Sequence, residues 1–277
     1  MTPEAYCQQK AAASGSSFYY SFLFLPPERR RAITALYAFC REVDDVVDEG
    51  MDTQVAAAKL GWWRTEVANL FAGKPQHPVT RALDPHKEEY GITAERLNEI
   101  IDGMEMDLRQ TRYLDWKGLE LYCYRVAGVV GLLAAGIFGY RDPHTLDYAR
   151  NLGIAFQLTN IIRDVGEDAR KNRVYLPMED LQRFGVPAAD ILQSRETPEF
   201  RGLMQFQAQR ARTFYQNAMT ALPGEDRRAQ RPGLIMAAIY RTLLEEIERE
   251  GFRVLTQRTS LTPLRKFWIA WKTWIAA

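Results

Sequence analysis

The chain has 277 residues, 47% of them hydrophobic and 26% charged, with a formal net charge of +1. That composition excludes a disordered chain and allows a sizeable core, in one large domain or two small ones. A charge this near neutral gives no basic field to recruit nucleic acid, and three scattered cysteines (Cys7, Cys40, Cys123) give neither a disulfide framework nor a zinc knuckle, favouring a reducing compartment.

The first ten residues lack an apolar run, so no secretory signal is expected. Pro26-Pro27 before Glu-Arg-Arg-Arg reads as a helix start, and the helix is predicted to run to about Gly50. Asp52 or Thr53 caps a second helix through about Phe71, closed by Gly73-Lys-Pro. Helical patterns follow over about 78–90, 93–112, 116–138 and 143–168. The longest apolar run, Val126 to Tyr140, is shorter than the ~20 residues a bilayer span needs, so the chain reads as soluble or peripheral. A break near Val174-Tyr-Leu-Pro177 precedes short helical pieces over 178–192. Two long helices over about 199–221 and 232–257 follow, then a short amphipathic segment over 263–277. Period-two runs are missing, so no sheet is expected. The expectation is one all-α domain over residues 1–277, of roughly ten helices.

Two segments carry chemistry. From Tyr37 to Glu49, Tyr37, Arg41, Asp44 and Asp48 fall at i, i+4, i+7 and i+11, one stripe on one helix face. A rise of ~1.5 Å per residue puts Asp44 and Asp48 about 6 Å apart along the axis, so they repel unless a cation or solvent intervenes. Alone, this stripe reads equally as a solvated helix end with Arg41 paired to a neighbouring acid. From Gln157 to Asp168 the pattern recurs: Gln157, Asn160, Asp164 and Asp168 share one face, while Phe156, Leu158, Ile161, Ile162 and Val165 form a core face. Amides and acids on an otherwise apolar helix imply a wet or ion-filled cavity. One DxxxD pair arises easily by chance among fifteen Asp; two, each extended upstream on the same face by polar groups, do not.

Four carboxylates suit a hard cation, and Mg²⁺ characteristically takes one or two carboxylates plus phosphate oxygens. With the metal between them the stripes become a diphosphate clamp, with Arg41, Arg163 and Arg173 within reach of phosphate oxygens. Such a site ionises an allylic diphosphate, and the resulting carbocation needs an apolar, aromatic lining. The aromatics of 16–24, with Tyr122 and Tyr124, offer that lining, and Ala127, Gly128 and Gly131 leave room for a thin hydrocarbon. Core filling and close helix packing explain the same residues equally well. His77, His86 and His144 lie away from the stripes, which disfavours a Ser-His triad, a zinc hydrolase or a di-iron site. No Walker A or GxGxxG loop occurs.

These residues resemble the squalene/phytoene synthase family of head-to-head prenyl transferases. The resemblance rests on Tyr37-x-x-x-Arg41-x-x-Asp44-Asp-x-x-Asp48, on Tyr122-Cys-Tyr-x-Val126-Ala-Gly-x-Val-Gly131, and on Gln157-x-x-Asn160-Ile-Ile-Arg163-Asp164-Val-Gly-Glu-Asp168 running on to Arg173-Val-Tyr175-Leu-Pro177. Within the family the wording is most like bacterial members that make presqualene diphosphate for hopanoid synthesis. The resemblance implies an all-α class I terpenoid-synthase bundle around a central cavity. It implies Mg²⁺, two or three ions, held by Asp44, Asp48, Asn160, Asp164 and Asp168. It implies substrate contacts at Ser17, Phe18, Tyr37, Arg41, Val126, Gln157, Asn160, Arg163, Arg173 and Tyr175, with Tyr122 lining the site and assisting proton removal. The implied reaction joins two farnesyl diphosphates, without NADPH, and passes presqualene diphosphate to squalene-forming enzymes. Phytoene or dehydrosqualene/squalene synthesis is the alternative within the family. A non-catalytic lipid-binding or assembly factor is the remote one, disfavoured because both acid pairs are present.

In the last segment Trp268, Trp271 and Ile275 share a face beside Lys and Arg. Peripheral membrane contact through 264–275, packing on the core and a subunit contact all fit that pattern. The expected location is the cytoplasm, on the inner face of the plasma membrane if the contact is made.

Overall fold

The computed structural model describes residues 1–13, 21–22, 25–48 and 52–276. Helix α1 spans Pro3–Ala13 and was not expected. It buries only Cys7 and Ala11, too little apolar periodicity to announce a helix, and it docks on α2 and α4. Helix α2, Pro27–Asp48, starts with Pro in its first turn as anticipated. Asp52 caps α3 (Thr53–Phe71), its side chain accepting from the Gln54 amide at 2.8 Å.

The helix expected over 78–90 is broken. Helix α4 covers Pro78–Leu83 and gives way to a 3₁₀ turn at Asp84–His86, because Pro85 has no amide to continue the α ladder. Helix α5, Ala94–Arg109, is capped by Thr93 and ends three residues earlier than predicted, where Gln110 turns extended. The next rod is continuous from Trp116 to Phe138 but not uniform: α6 (Trp116–Cys123), a π turn (Tyr124–Gly128) and α7 (Val129–Phe138). At 23 residues it is long and apolar enough to cross a membrane by length and composition, longer than the run counted from sequence. Here its apolar surface packs on α5 and α8.

Helix α8, His144–Arg170, is the longest at 27 residues. Helices α9 (Met178–Phe184) and α10 (Ala188–Leu192) are short, and α11 (Pro198–Ala221) packs along α8. Helix α12, Arg231–Arg249, stops earlier than predicted at Gly251 and Phe252, both with positive φ. Helix α13, Pro263–Ala276, lies on α12. Among the described residues there is no strand, only an isolated parallel bridge between Arg112 and Val174. The expected all-α bundle is what forms.

Apolar side chains gather in two clusters. One joins α1–α5 to Val129, Leu133 and Ile137 of α7; the other joins α8–α13 to α6. Tyr124 and Val126 of the π turn pack against both. The seam is tight on one side. A Cβ on Gly153 would sit 2.3 Å from the Ala127 carbonyl oxygen, and one on Gly131 would sit 2.4 Å from that of Ala149. Glycine at both positions lets the rod lie directly on α8. Close packing therefore accounts for Gly131, which also faces open space on its other side.

Candidate active site

Between the two clusters lies an apolar cavity of about 180 Å³. Helix α2 contributes Ile33, Leu36, Tyr37 and Cys40; the rod contributes Val126, Ala127, Val130 and Gly131. Helix α8 adds Leu152, Gly153, Phe156, Gln157 and Asn160, and α12 adds Met236 and Tyr240. Phe156, expected in the core face, is instead half-buried in this wall. The polar groups of the wall include the upstream ends of the two stripes, Tyr37 on α2 and Gln157 and Asn160 on α8, beside Ser21, Tyr148, Gln230 and Tyr240. Beyond them both helices carry their acids toward their C-terminal ends. Tyr240 links the stripes: its surroundings include Tyr37 on one side and Asn160, Arg163 and Asp164 on the other, and burial raises its hydroxyl pKa.

On α2, Arg41 donates to Asp44 Oδ2 at 2.6 Å and to Asp45 Oδ1 at 2.7 Å. Lys10 of α1 adds a contact to Asp45 at 2.8 Å. Asp48 closes the helix, with its side chain outside the described residues. On α8, Asp164 Oδ1 accepts from Arg163 Nε at 2.7 Å and from Arg258 Nε at 2.9 Å. Burial alone would raise the Asp164 pKa, but the hydrogen bond and charge of Arg163, then those of Arg258, hold it below the usual carboxylate value. One turn on, Asp168 is pushed up to about 7, first by burial and then by the charge of Asp164. Gly166 lies between them, and its amide donates to the Val254 carbonyl at 3.1 Å. A Cβ there would stand 2.4 Å from Leu255 O and 2.5 Å from Val254 O. Only glycine lets the 252–258 segment close on α8 and bring Arg258 to Asp164.

The donor types of the stripes suit a hard divalent cation, while among the described residues no three acids or histidines converge into a ready-made cage. Asn160 Oδ1 is buried and has no hydrogen-bond partner among the described residues, an acceptor that a ligand could satisfy. Asp168 is a half-buried carboxylate destabilised in its charged form by another, which a cation would relieve.

Tyr122 and Tyr175 lie elsewhere than the cavity wall. Tyr122 Oη donates to Asp107 Oδ2 at 2.9 Å and Tyr175 Oη to Asp107 Oδ1 at 3.0 Å. The two rings stack with centroids 5.3 Å apart, and Tyr113 stacks on Tyr175. Burial, then the Asp107 charge, raises the Tyr122 pKa well above its usual value, so the proton stays on the Tyr122 hydroxyl and Asp107 accepts it as a hydrogen bond. Asp107 also contributes to raising Asp168, so this network lies beside the α8 stripe. Arg173 follows α8 directly, its amide donating to Asp168 O at 2.8 Å. Ser17 and Phe18 lie outside the described residues. Tyr37, Val126, Gln157 and Asn160 meet at the cavity; Asp44, Arg163, Asp164 and Asp168 follow from the same helices.

Sequence reasoning missed Asp107, Tyr240 and Arg258. Asp107 had a signal: Leu97, Ile100, Met104 and Asp107 share a helix face, and that face is buried. A carboxylate there needs partners. Tyr240 sits on a core face of α12, and Arg258 lies in irregular chain, where no periodicity marks either one.

A profile of the squalene/phytoene synthase family matches residues 11–265. The chain is 37% identical over 272 residues to a chloroplastic phytoene synthase of an Oncidium hybrid cultivar, covering 95% of this chain and 66% of that protein. It is 37% identical over 273 residues to a phytoene synthase of Arthrospira platensis, covering 94% and 88%. Among solved structures it is similar to a dehydrosqualene synthase crystallised with a ligand, with a TM-score of 0.87 at 30% identity over 98% of this chain and 95% of the other. A bundle with two acid-bearing helices walling an apolar cavity, matched along nearly its whole length, places the chain in the squalene/phytoene synthase family.

Proposed function

We propose that the chain is a Mg²⁺-dependent head-to-head prenyl transferase that joins two farnesyl diphosphates into presqualene diphosphate and releases diphosphate. The observation that carries the reading is the shared origin of acid and cavity. The two helices that wall the apolar space are the two that carry carboxylates just beyond it. A prenyl diphosphate has the matching polarity, an apolar tail and an anionic head.

Asp44, Asp48, Asn160, Asp164 and Asp168 would hold the metal, which when bound supplies the positive charge that neutralises the diphosphate and eases its departure. Arg41 and Arg163 now neutralise carboxylates, and a cation taking over those carboxylates would free both guanidiniums for phosphate oxygens. Arg173 stands at the end of the same stripe. Tyr37, Val126 and Phe156 keep water from the reacting carbons. C1 of one chain bonds to the double bond of the other, a proton leaves, and the cyclopropane closes. Tyr122 would act through Asp107 by positioning the α8 stripe. NADPH plays no part in this reading. The cytoplasm is the proposed location, with squalene-forming enzymes consuming the product.

The 37% identity to phytoene synthases favours a second reading, in which geranylgeranyl diphosphate is the substrate. Purified protein incubated with Mg²⁺ and either diphosphate, with and without NADPH, separates them by product identification. Presqualene diphosphate from farnesyl diphosphate, unchanged by NADPH, is the expected result. A C40 product from geranylgeranyl diphosphate alone replaces it with the second reading, and no product from either removes both.

A further inference from the structure

At the opposite end of the bundle from the acids lies a second pocket, of about 670 Å³. It sits at the N-terminal end of α8: Asp226 in its wall accepts from the amides of Arg141 and Asp142 and from Thr145 Oγ1. Twenty residues of helix, roughly 30 Å, separate it from Asp164. Four arginines line it, Arg29, Arg141, Arg228 and Arg231, against Glu225 and the already engaged Asp226. Neither Arg141 nor Arg228 forms an ion pair among the described residues, and both are exposed. Arg231 stacks over Trp274 at 4.8 Å, and its Nε is buried without a hydrogen-bond partner.

Trp274 belongs to α13, so the pocket is continuous with that helix. Ala270 and Trp274 turn inward, while Leu264, Phe267, Trp268, Trp271 and Ile275 face out, Leu264 at 83%, Trp268 at 59% and Ile275 at 63% exposure. An outward apolar stripe of this size calls for a partner. Helix α13 carries Arg265, Lys266 and Lys272 and no acid. Tryptophans beside cations, next to an arginine-lined pocket, match the chemistry of an anionic bilayer surface: apolar groups enter the interface and guanidiniums take headgroup phosphates.

We propose that α13 docks the protein on anionic membranes and that the Arg29/Arg141/Arg228/Arg231 pocket binds a phospholipid headgroup phosphate. The surface is distinct from the acid stripes, and the proposal stands whichever prenyl diphosphate is the substrate. Each cation near an anionic surface adds about fivefold to affinity, so removing two costs roughly thirtyfold.

The test is co-sedimentation of the full chain with phosphatidylglycerol-containing vesicles and with pure phosphatidylcholine vesicles. Wild type is expected to bind the anionic vesicles at least tenfold more tightly. Trp268→Ser/Trp271→Ser should lose binding to both. Arg141→Gln/Arg228→Gln should lose roughly thirtyfold on anionic vesicles alone, with circular dichroism and turnover on detergent-dispersed substrate unchanged. Inorganic phosphate and glycerol 3-phosphate, followed by tryptophan fluorescence, are the soluble controls. Their binding without vesicle association would assign the pocket to free phosphates and overturn the proposal. A dimer dispersed by the tryptophan variant, with no vesicle binding, would overturn it in favour of a second copy of the chain.

Discussion

On α2 the acids are held by an arginine of their own helix, three and four residues away, and that cluster is about one-third exposed. On α8, Asp164 is held by its neighbour Arg163 and by Arg258, 94 positions further on, while Asp168 is raised to about 7. Exposed i, i+4 pairs contribute a few tenths of a kcal/mol and break readily when a ligand competes. A half-buried, mutually repelling pair stores an unfavourable term that a proton or a cation removes. The α2 stripe is therefore inexpensive to rearrange, and the α8 stripe should dominate how metal and pH act on the fold.

The largest effect would break the symmetry between the stripes at the level of chemistry. Asp44→Asn and Asp164→Asn should each lower turnover by roughly 10³-fold, the loss of several kcal/mol of charge stabilisation, with the helical circular dichroism kept. Near-wild-type rates in both would sink the clamp.

The pH response separates Asp164 from Asp168. Between an ordinary carboxylate value near 4 and about 7, the folded chain keeps a proton on Asp168 that the unfolded chain has lost. Through this group the metal-free fold loses stability, by a few kcal/mol at most, as pH rises from about 4 to about 7, and regains none above. Asp164 has the opposite sign: held low, it contributes above its unfolded value and that contribution fades only as pH falls below about 4. Melting curves from pH 5 to 8 should show Asp168→Asn flatter than wild type and more stable at pH 8. Mg²⁺ with inorganic diphosphate should stabilise wild type more at pH 8 than at pH 5, because its ligands must be deprotonated. A variant less stable than wild type at pH 8 would contradict the stored repulsion.

Smaller effects sharpen how the α8 stripe is built. Gly166→Ala forces a Cβ against two backbone carbonyls, which cost about 1–3 kcal/mol in overpacked sites, and should release Arg258. Thermal melting and Mg²⁺ titration would read both. Arg258→Gln removes only a half-exposed partner and should cost under about 1 kcal/mol, with turnover within roughly fivefold of wild type.

The stripes were legible because helical period is local: Tyr37 to Asp48 and Gln157 to Asp168 announce a face without knowledge of what it faces. The all-α bundle followed from the same periodicity. What escaped depends on contacts distant in sequence or on local breaks in pattern. Helix α1 has almost no apolar stripe, Pro85 ends α4 within an otherwise helical pattern, and Arg258 acquires its partner only because Gly166 admits its segment. Asp107 was readable as an acid on a buried face, but its two tyrosines come from different elements.

The π turn at Tyr124–Gly128 makes this seam depend on its backbone bonding pattern more than on its composition. It carries Val126 and Ala127 to the cavity, after which α7 divides, Val130 and Gly131 toward the cavity and Val129, Leu133 and Ile137 toward the first cluster. A wide turn takes up one residue more than an α turn, so closing it to regular α bonding without removing a residue would swing everything after it by about 100°. The cavity wall would turn into the core, and core side chains into the cavity. Substitutions at 124–128 change the wall one residue at a time, whereas loss of the wide turn rewrites both faces at once.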